Sequence, residues 1–163
     1  ILPAVAISSS VSTMASHNIG AGEYDRAKKT MYIGMLFAAA ISFPLFILTE
    51  IFPGAIIEIF NDDAALISYG IEYLRVFAFD YLLVPFVFCL NGLFIGAGHT
   101  RFSLFNAMIS ALLVRIPAAY IFGFVFNWGL RGIGVGAPFA TFVAMTVATV
   151  YFLSNGWQKR IAL

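Results

Sequence analysis

The chain has 163 residues, of which 61% are hydrophobic and only 10% charged, with a net charge of +1 and a mean hydropathy of +0.94. A soluble domain typically carries about 25% charged residues, so an ordinary water-exposed fold is excluded. The lack of any basic block argues against nucleic acid as a partner. A single cysteine, Cys89, rules out an internal disulfide and any multi-cysteine metal site.

The apolar residues gather into runs of about 18 or more, enough to cross roughly 30 Å of hydrocarbon as helix. In lipid every backbone amide must be satisfied internally, so only helices or closed barrels span. The dyad alternation of a barrel is missing. The sequence therefore predicts an all-α membrane protein, a polytopic bundle of about five transmembrane helices with the lipid bilayer as solvent.

The first predicted helix covers 1–17 and is short for a full span. It starts without Met, inside an apolar stretch, with no charged n-region of a signal peptide. We read the chain as the C-terminal piece of a longer protein. Ser8, Ser9, Ser10 and Ser12 of this helix can bond across helices or line a cavity.

A polar, basic return follows at 18–30, carrying Gly20, Ala21, Arg26, Ala27, Lys28 and Lys29. The second helix is predicted at 31–52 and contains Pro44. The segment 53–60 reads equally well as a short interfacial helix or as irregular loop. The third helix, 66–95, is long and contains Pro85. A second return, 97–102, carries Gly98, Thr100 and Arg101. Helices at 103–126, with Pro117, and 133–153, with Pro138, complete the chain. Membrane helices tolerate such prolines as kinks.

Charge sets the orientation. If the segments alternate, Arg26, Lys28, Lys29, Arg101, Lys159 and Arg160 share one side, which the positive-inside rule makes cytoplasmic, together with the C-terminus. Trp128 and Trp157 then fall near opposite interfaces. Gly20-Ala21-Gly22 and Gly96-Ala97-Gly98 resemble each other, each suited to ending a helix in the left-handed conformation. On the last helix Gly136, Ala140, Ala144 and Ala148 recur at i+4. They form a close-packing face, or a face that slides in a conformational change.

Three stretches carry a family resemblance: HNIGAGEYDRA at 17–27, YLRVFAFDYLLVPFVFCLNGLFIGAGHTRFS at 73–103, and GLRGIGVGAPFAT at 129–141. In order and spacing they resemble the multidrug and toxic compound extrusion (MATE) family of membrane antiporters. Such proteins are built as two six-helix bundles related by a pseudo-twofold axis. The resemblance implies helices eight to twelve of the C-terminal half, with the N-terminal bundle missing. The same motifs occur in both halves, so the N-terminal half is the alternative. It also implies a multi-pass protein of a bacterial inner or plasma membrane. The implied function is export of cationic amphipathic compounds, including drugs, in exchange for Na⁺ or H⁺, with no cofactor. Two alternatives stand beside it: a lipid-linked saccharide flippase of the same superfamily, and a non-transporting five-helix membrane subunit.

Asp80 is the leading site candidate. A carboxylate inside an apolar helix costs roughly 2.5–3.5 kcal/mol on insertion scales and by default faces a bundle interior or wet cavity. At 3.6 residues per turn, Tyr73, Asp80, Val84, Val87 and Asn91 share a face, which suits a cation path. The resemblance adds that family members place a carboxylate of the tenth helix in a cation site. Asp80 falls about one turn before that position, where Val84 stands. Arg115, mid-helix before Pro117, suits a pairing with Asp80 or with an anionic group elsewhere, or a snorkelling role. Phe77, Phe79, Phe86 and Phe88 flank the stripe and offer cation–π faces. His17 and His99 lie at returns, where surface or capping roles are expected. No catalytic constellation, and no metal site, is found, so an enzyme is not predicted.

Overall fold

The computed structural model describes residues 1–60 and 63–158. Among them there is no strand. The helices are α1 (Leu2–Gly20), α2 (Tyr24–Ile51), α3 (Pro53–Glu58), α4 (Ala64–Ala78) and α5 (Asp80–Gly96). They are followed by α6 (Thr100–Val125) and α7 (Gly129–Leu153), and the described chain ends on a 3₁₀ turn, Gly156–Gln158. Lys159 and Arg160, used above for orientation, lie outside the described residues.

Three helices, α2, α6 and α7, are long and apolar enough to cross a membrane, and the bent pair α4–α5 makes a fourth candidate. α1 has 19 residues but is not among them. Its serines, Thr13, His17 and Asn18 dilute the apolar run. The bundle leaves large apolar side chains such as Leu36, Phe37, Leu113 and Phe124 exposed, as lipid-facing or partner-facing helices do.

The two basic returns are shorter than the sequence suggests. α2 begins at Tyr24, so Arg26, Ala27, Lys28 and Lys29 sit on its first turns rather than in a loop. Thr100 and Arg101 likewise open α6. What makes this possible is the same turn twice. At the first return Gly22 N–H donates to the Ile19 carbonyl and Glu23 N–H to that of Asn18. At the second Gly98 N–H donates to Ile95 and His99 N–H to Phe94. This is the Schellman pattern. Gly22 and Gly98 carry the positive φ, +80° and +85°, and it is these second glycines, not Gly20 and Gly96, that adopt it.

The segment after α2 resolves into the short helix α3. α4 and α5 meet at Phe79 with a bend of 41°. The break therefore lies one residue before Asp80, while Pro85 sits inside α5. α6 is α-helical at Thr100–Met108 and Ile116–Tyr120, and π-helical at Ile109–Arg115 and Ile121–Val125.

The core lies between α1, α2 and α5, built on Val11, Met31, Leu90, Leu93 and Phe94. Small residues permit close approach. A Cβ at Gly92 would stand 2.6 Å from the Ser8 carbonyl oxygen, and one at Gly96 would collide with that of Ser12. On α7, Gly136, Ala140, Ala144 and Ala148 are all buried, and Gly136 faces Ala119 of α6. At the end bearing the returns, Trp157 folds back under α2. It is 1% exposed, stacks on Phe152 and meets Tyr24 edge-on, with the Lys28 ammonium 6.0 Å from its ring. Trp157 is thus a packed residue rather than an interfacial anchor. Trp128 is exposed and stacks on Phe122.

Candidate functional site

α1, α5, α6 and α7 line a cavity of about 640 Å³, open on one side and largely apolar. Its polar lining comes from all four helices. α1 contributes Ser8 and Ser9, and α5 contributes Asp80 and Asn91. α6 contributes Ser103, Asn106, Ser110 and Arg115, and α7 contributes Thr141.

Asp80 opens α5, directly after the bend, and is only 6% exposed. The Thr141 side chain approaches its carboxyl as a hydrogen-bonding neighbour, and the Arg115 charge acts on it from farther off. Its Oδ1 is buried without a hydrogen-bond partner. The same holds for Asn91 Oδ1 and Ser103 Oγ. Buried polar atoms in native structures are nearly always satisfied by protein or ordered water. Three orphaned groups spread over α5 and α6 around this cavity are therefore positions where polar guests or water can bind. Two of them are acceptor oxygens, suited to a hydrogen-bond donor or a hard cation.

The structure brings together Asp80, Val84, Val87 and Asn91 of the predicted stripe, but not Tyr73. Tyr73 lies on α4, beyond the bend, and stacks on Phe77. The 41° break ends the single helical face that the stripe assumed. Arg115 lines the cavity, but it forms no ion pair with Asp80. Among the described residues the pairs are Lys28–Asp25 and Arg131–Glu72. Of the four phenylalanines only Phe88 reaches the cavity. Phe79 packs on Phe46 and Phe77 on Tyr73 and Tyr81.

The serines divide. Ser8 Oγ donates to the Phe88 carbonyl at 2.7 Å, clasping α1 to α5, whereas Ser10 bonds within its own helix. His99 is neither a surface residue nor a side-chain cap. It is buried, and its Nδ1 shares a 2.6 Å hydrogen bond with the Tyr151 hydroxyl. His17 is exposed.

Asn106, Ser110, Ser103 and Thr141 escaped the sequence reading. Asn106 Nδ2 donates to the Ala144 carbonyl at 3.2 Å and Ser110 Oγ to that of Ala140 at 2.8 Å. The small-residue face of α7 exposes these carbonyls to α6. The spacing Ser103, Asn106, Ser110, three then four residues, is a polar helical stripe in an apolar run, and was the available signal.

Comparison with known proteins agrees with this architecture. The MatE family profile matches residues 1–121. Protein DETOXIFICATION 20 of Arabidopsis thaliana is 28% identical over 152 residues, covering 93% of this chain and 31% of that protein. The probable multidrug resistance protein NorM of Thermotoga maritima is 24% identical over 162 residues, covering 99% and 35%. The chain thus spans about a third of the length of these relatives. Two solved structures share the fold. One is an inward-facing multidrug resistance MATE family transporter of the MOP superfamily (TM-score 0.87, 20% identity, 99% of this chain and 38% of that one). The other is an outward-facing one (0.83, 16%, 99% and 36%). With the family profile covering most of its residues and its helices following the transporter fold throughout, the chain belongs to the MATE family of membrane transporters.

Proposed function

We propose that the protein containing this chain is a secondary active antiporter that exports amphipathic organic cations in exchange for Na⁺ or H⁺. The observation that carries the proposal is the unpartnered Asp80 Oδ1 on the wall of a largely apolar cavity with a few polar lining groups. A buried carboxylate with one oxygen left unpaired is costly in hydrocarbon. That cost is offset when a cation, a proton or an ammonium group occupies the site. Asn91 Oδ1, three helical turns farther along α5, is a separate unpaired acceptor on the same cavity. The two ligands, coupling ion and drug, then compete for one carboxylate, which is the minimum requirement for exchange.

In this reading the cavity is half of a translocation path, and a second bundle of the N-terminal half covers its open side. Alternating access by rocking two bundles is the usual logic of such folds. The end bearing Arg26, Lys28, Lys29 and Arg101 faces the cytoplasm of a cell membrane, as the positive-inside rule requires.

The test is efflux of a fluorescent organic cation from liposomes holding the intact protein, with a Na⁺ gradient or a pH gradient imposed separately. One gradient should drive efflux. Asp80→Asn should lower the driven rate at least tenfold while leaving the protein folded by circular dichroism. Undiminished gradient-driven efflux in Asp80→Asn would remove Asp80 from coupling. Efflux indifferent to both gradients would overturn the antiport reading.

A further inference from the structure

A second hollow lies away from the cavity, between α1 and α2. It is a groove of about 270 Å³ lined by Ile7, Val11 and Met14 of α1 and by Ile33, Gly34 and Phe37 of α2. Gly34 makes its floor. A Cβ there would collide with the Val11 side chain, so the bare backbone lets α1 close in beneath the groove. Met14 and Phe37 on the rims are more than half exposed. The two lining hydroxyls are turned to their own helices: Ser10 Oγ donates to the Ala6 carbonyl and Thr30 Oγ1 to that of Arg26. A guest in the groove therefore meets carbon almost everywhere.

One end differs. Arg26, Thr30, Ile33 and Phe37 are spaced four, three and four residues apart, so they stand on one face of α2. Arg26 sits one turn beyond Thr30, at the mouth of the groove and at the end of the bundle that bears the returns. It is exposed, and among the described residues it makes no ion pair, even with Glu23 three residues before it. Asp25 is paired with Lys28 instead. Lys29 is exposed beside Arg26, and His17, three residues after Met14, is exposed on the α1 side. From Arg26 to Phe37 the axis rises about 16 Å, close to the roughly 15 Å that one leaflet adds to the hydrocarbon thickness.

A cationic mouth on an apolar slot one leaflet deep complements a molecule with a charged head and a long chain. A guanidinium holds a phosphate through paired N–H···O bonds. Basic side chains at the membrane surface attract anionic headgroups, whereas the choline of a zwitterionic lipid would meet Arg26 and Lys29 with like charge. From this we infer that the α1–α2 groove seats an acyl chain of an anionic phospholipid, with Arg26 holding its phosphate. The site is separate from the cavity and does not depend on the transport reading. One basic side chain near the surface is worth about fivefold in affinity.

The experiment is native mass spectrometry of the intact protein in detergent, titrated with dioleoyl phosphatidylglycerol or dioleoyl phosphatidylcholine. The wild type should retain the glycerol lipid at least fivefold better than the choline lipid. Arg26→Gln should bring the two level, and Arg26→Lys should keep part of the preference. Met14→Trp, which fills the groove and changes no charge, should weaken retention of both. Excess glycerophosphoglycerol, the headgroup without chains, should not displace the lipid. Equal retention of both lipids by the wild type overturns the inference, and needs no variant. So does displacement by the soluble headgroup, which would mark a plain anion site. Retention indifferent to both Arg26→Gln and Met14→Trp would place the lipid elsewhere. No retained lipid at all would mean that a second bundle or a second copy of this chain covers the groove, which also overturns it.

Discussion

Replacing Gly92 by Ala should separate two helices that now touch backbone to backbone. The added Cβ would stand 2.6 Å from the Ser8 carbonyl oxygen and 3.1 Å from Ser8 Oγ. A carbonyl oxygen has no rotamer to escape into, so α1 must retreat by roughly half an ångström or more where it touches α5. Overpacking of this kind costs roughly 1–3 kcal/mol. The retreat also stretches the 2.7 Å bond from Ser8 Oγ to the Phe88 carbonyl, and such interhelical bonds in membranes average about 0.6 kcal/mol. The combined loss is about 1.6–3.6 kcal/mol. It is measurable by titrating the intact protein in mixed micelles with a denaturing detergent and following helix content. Gly20→Ala is the matched comparison. Nothing lies within 4 Å of its Cβ and its φ is not in the left-handed region, so that change should be neutral or gain roughly 0.5–1 kcal/mol. A Gly92→Ala protein within about 0.5 kcal/mol of the wild type, the range of an innocuous surface change, would refute the described approach of α1 to α5.

Two further outcomes follow from the same geometry. Gly98→Ala should cost about 1–2 kcal/mol in the same titration because φ is +85° with open space around it. Gly98→Asn should cost less, since Asn tolerates that conformation, and equal losses would show that the φ is not the cause. Tyr151→Phe removes the hydroxyl bonded to the buried His99 Nδ1 at 2.6 Å and should cost roughly 1–2 kcal/mol. An unchanged midpoint would show that this contact does not hold the ends of α5 and α7 together.

The class of the protein was legible because hydrocarbon imposes its length rule on composition, and the chain obeys it in α2, α6 and α7. Asp80, Asn91 and Arg115 were legible as cavity-lining candidates because polar groups in apolar helices are costly enough to be conspicuous. Tyr73 was misplaced because the stripe assumed one straight helix, and nothing at Phe79 announces a break. Pro85, the visible irregularity, lies elsewhere. In α6 the failure was one of period. At 100° per residue Ser110 and Arg115 would point about 140° apart. The π-helical stretch pairs each residue with the fifth one on, so both reach the cavity. Prolines mark where a helix lacks a donor, but they do not say whether the chain answers with a kink or a wider turn. The basic returns were placed correctly in the sequence but drawn too long. A Schellman turn needs only one left-handed residue, and Gly22 and Gly98 each supply it.

The clasps between helices decide which motions remain to this bundle. α6 and α7 are fastened by side chains that donate to the Ala140 and Ala144 carbonyls, so sliding by even one residue, about 1.5 Å, would forfeit both bonds. α1 and α5 are fastened likewise through Ser8 and the space left by Gly92. Each pair therefore behaves as one stiff plank. The seam between the planks is crossed by the approach of Thr141 to Asp80 and by the His99–Tyr151 bond, and Asp80 and Arg115 stand on opposite sides of it. Turning one plank against the other would have to break those two contacts, so the hinge and the carboxylate are coupled: any change that frees Thr141 from Asp80 also loosens the seam.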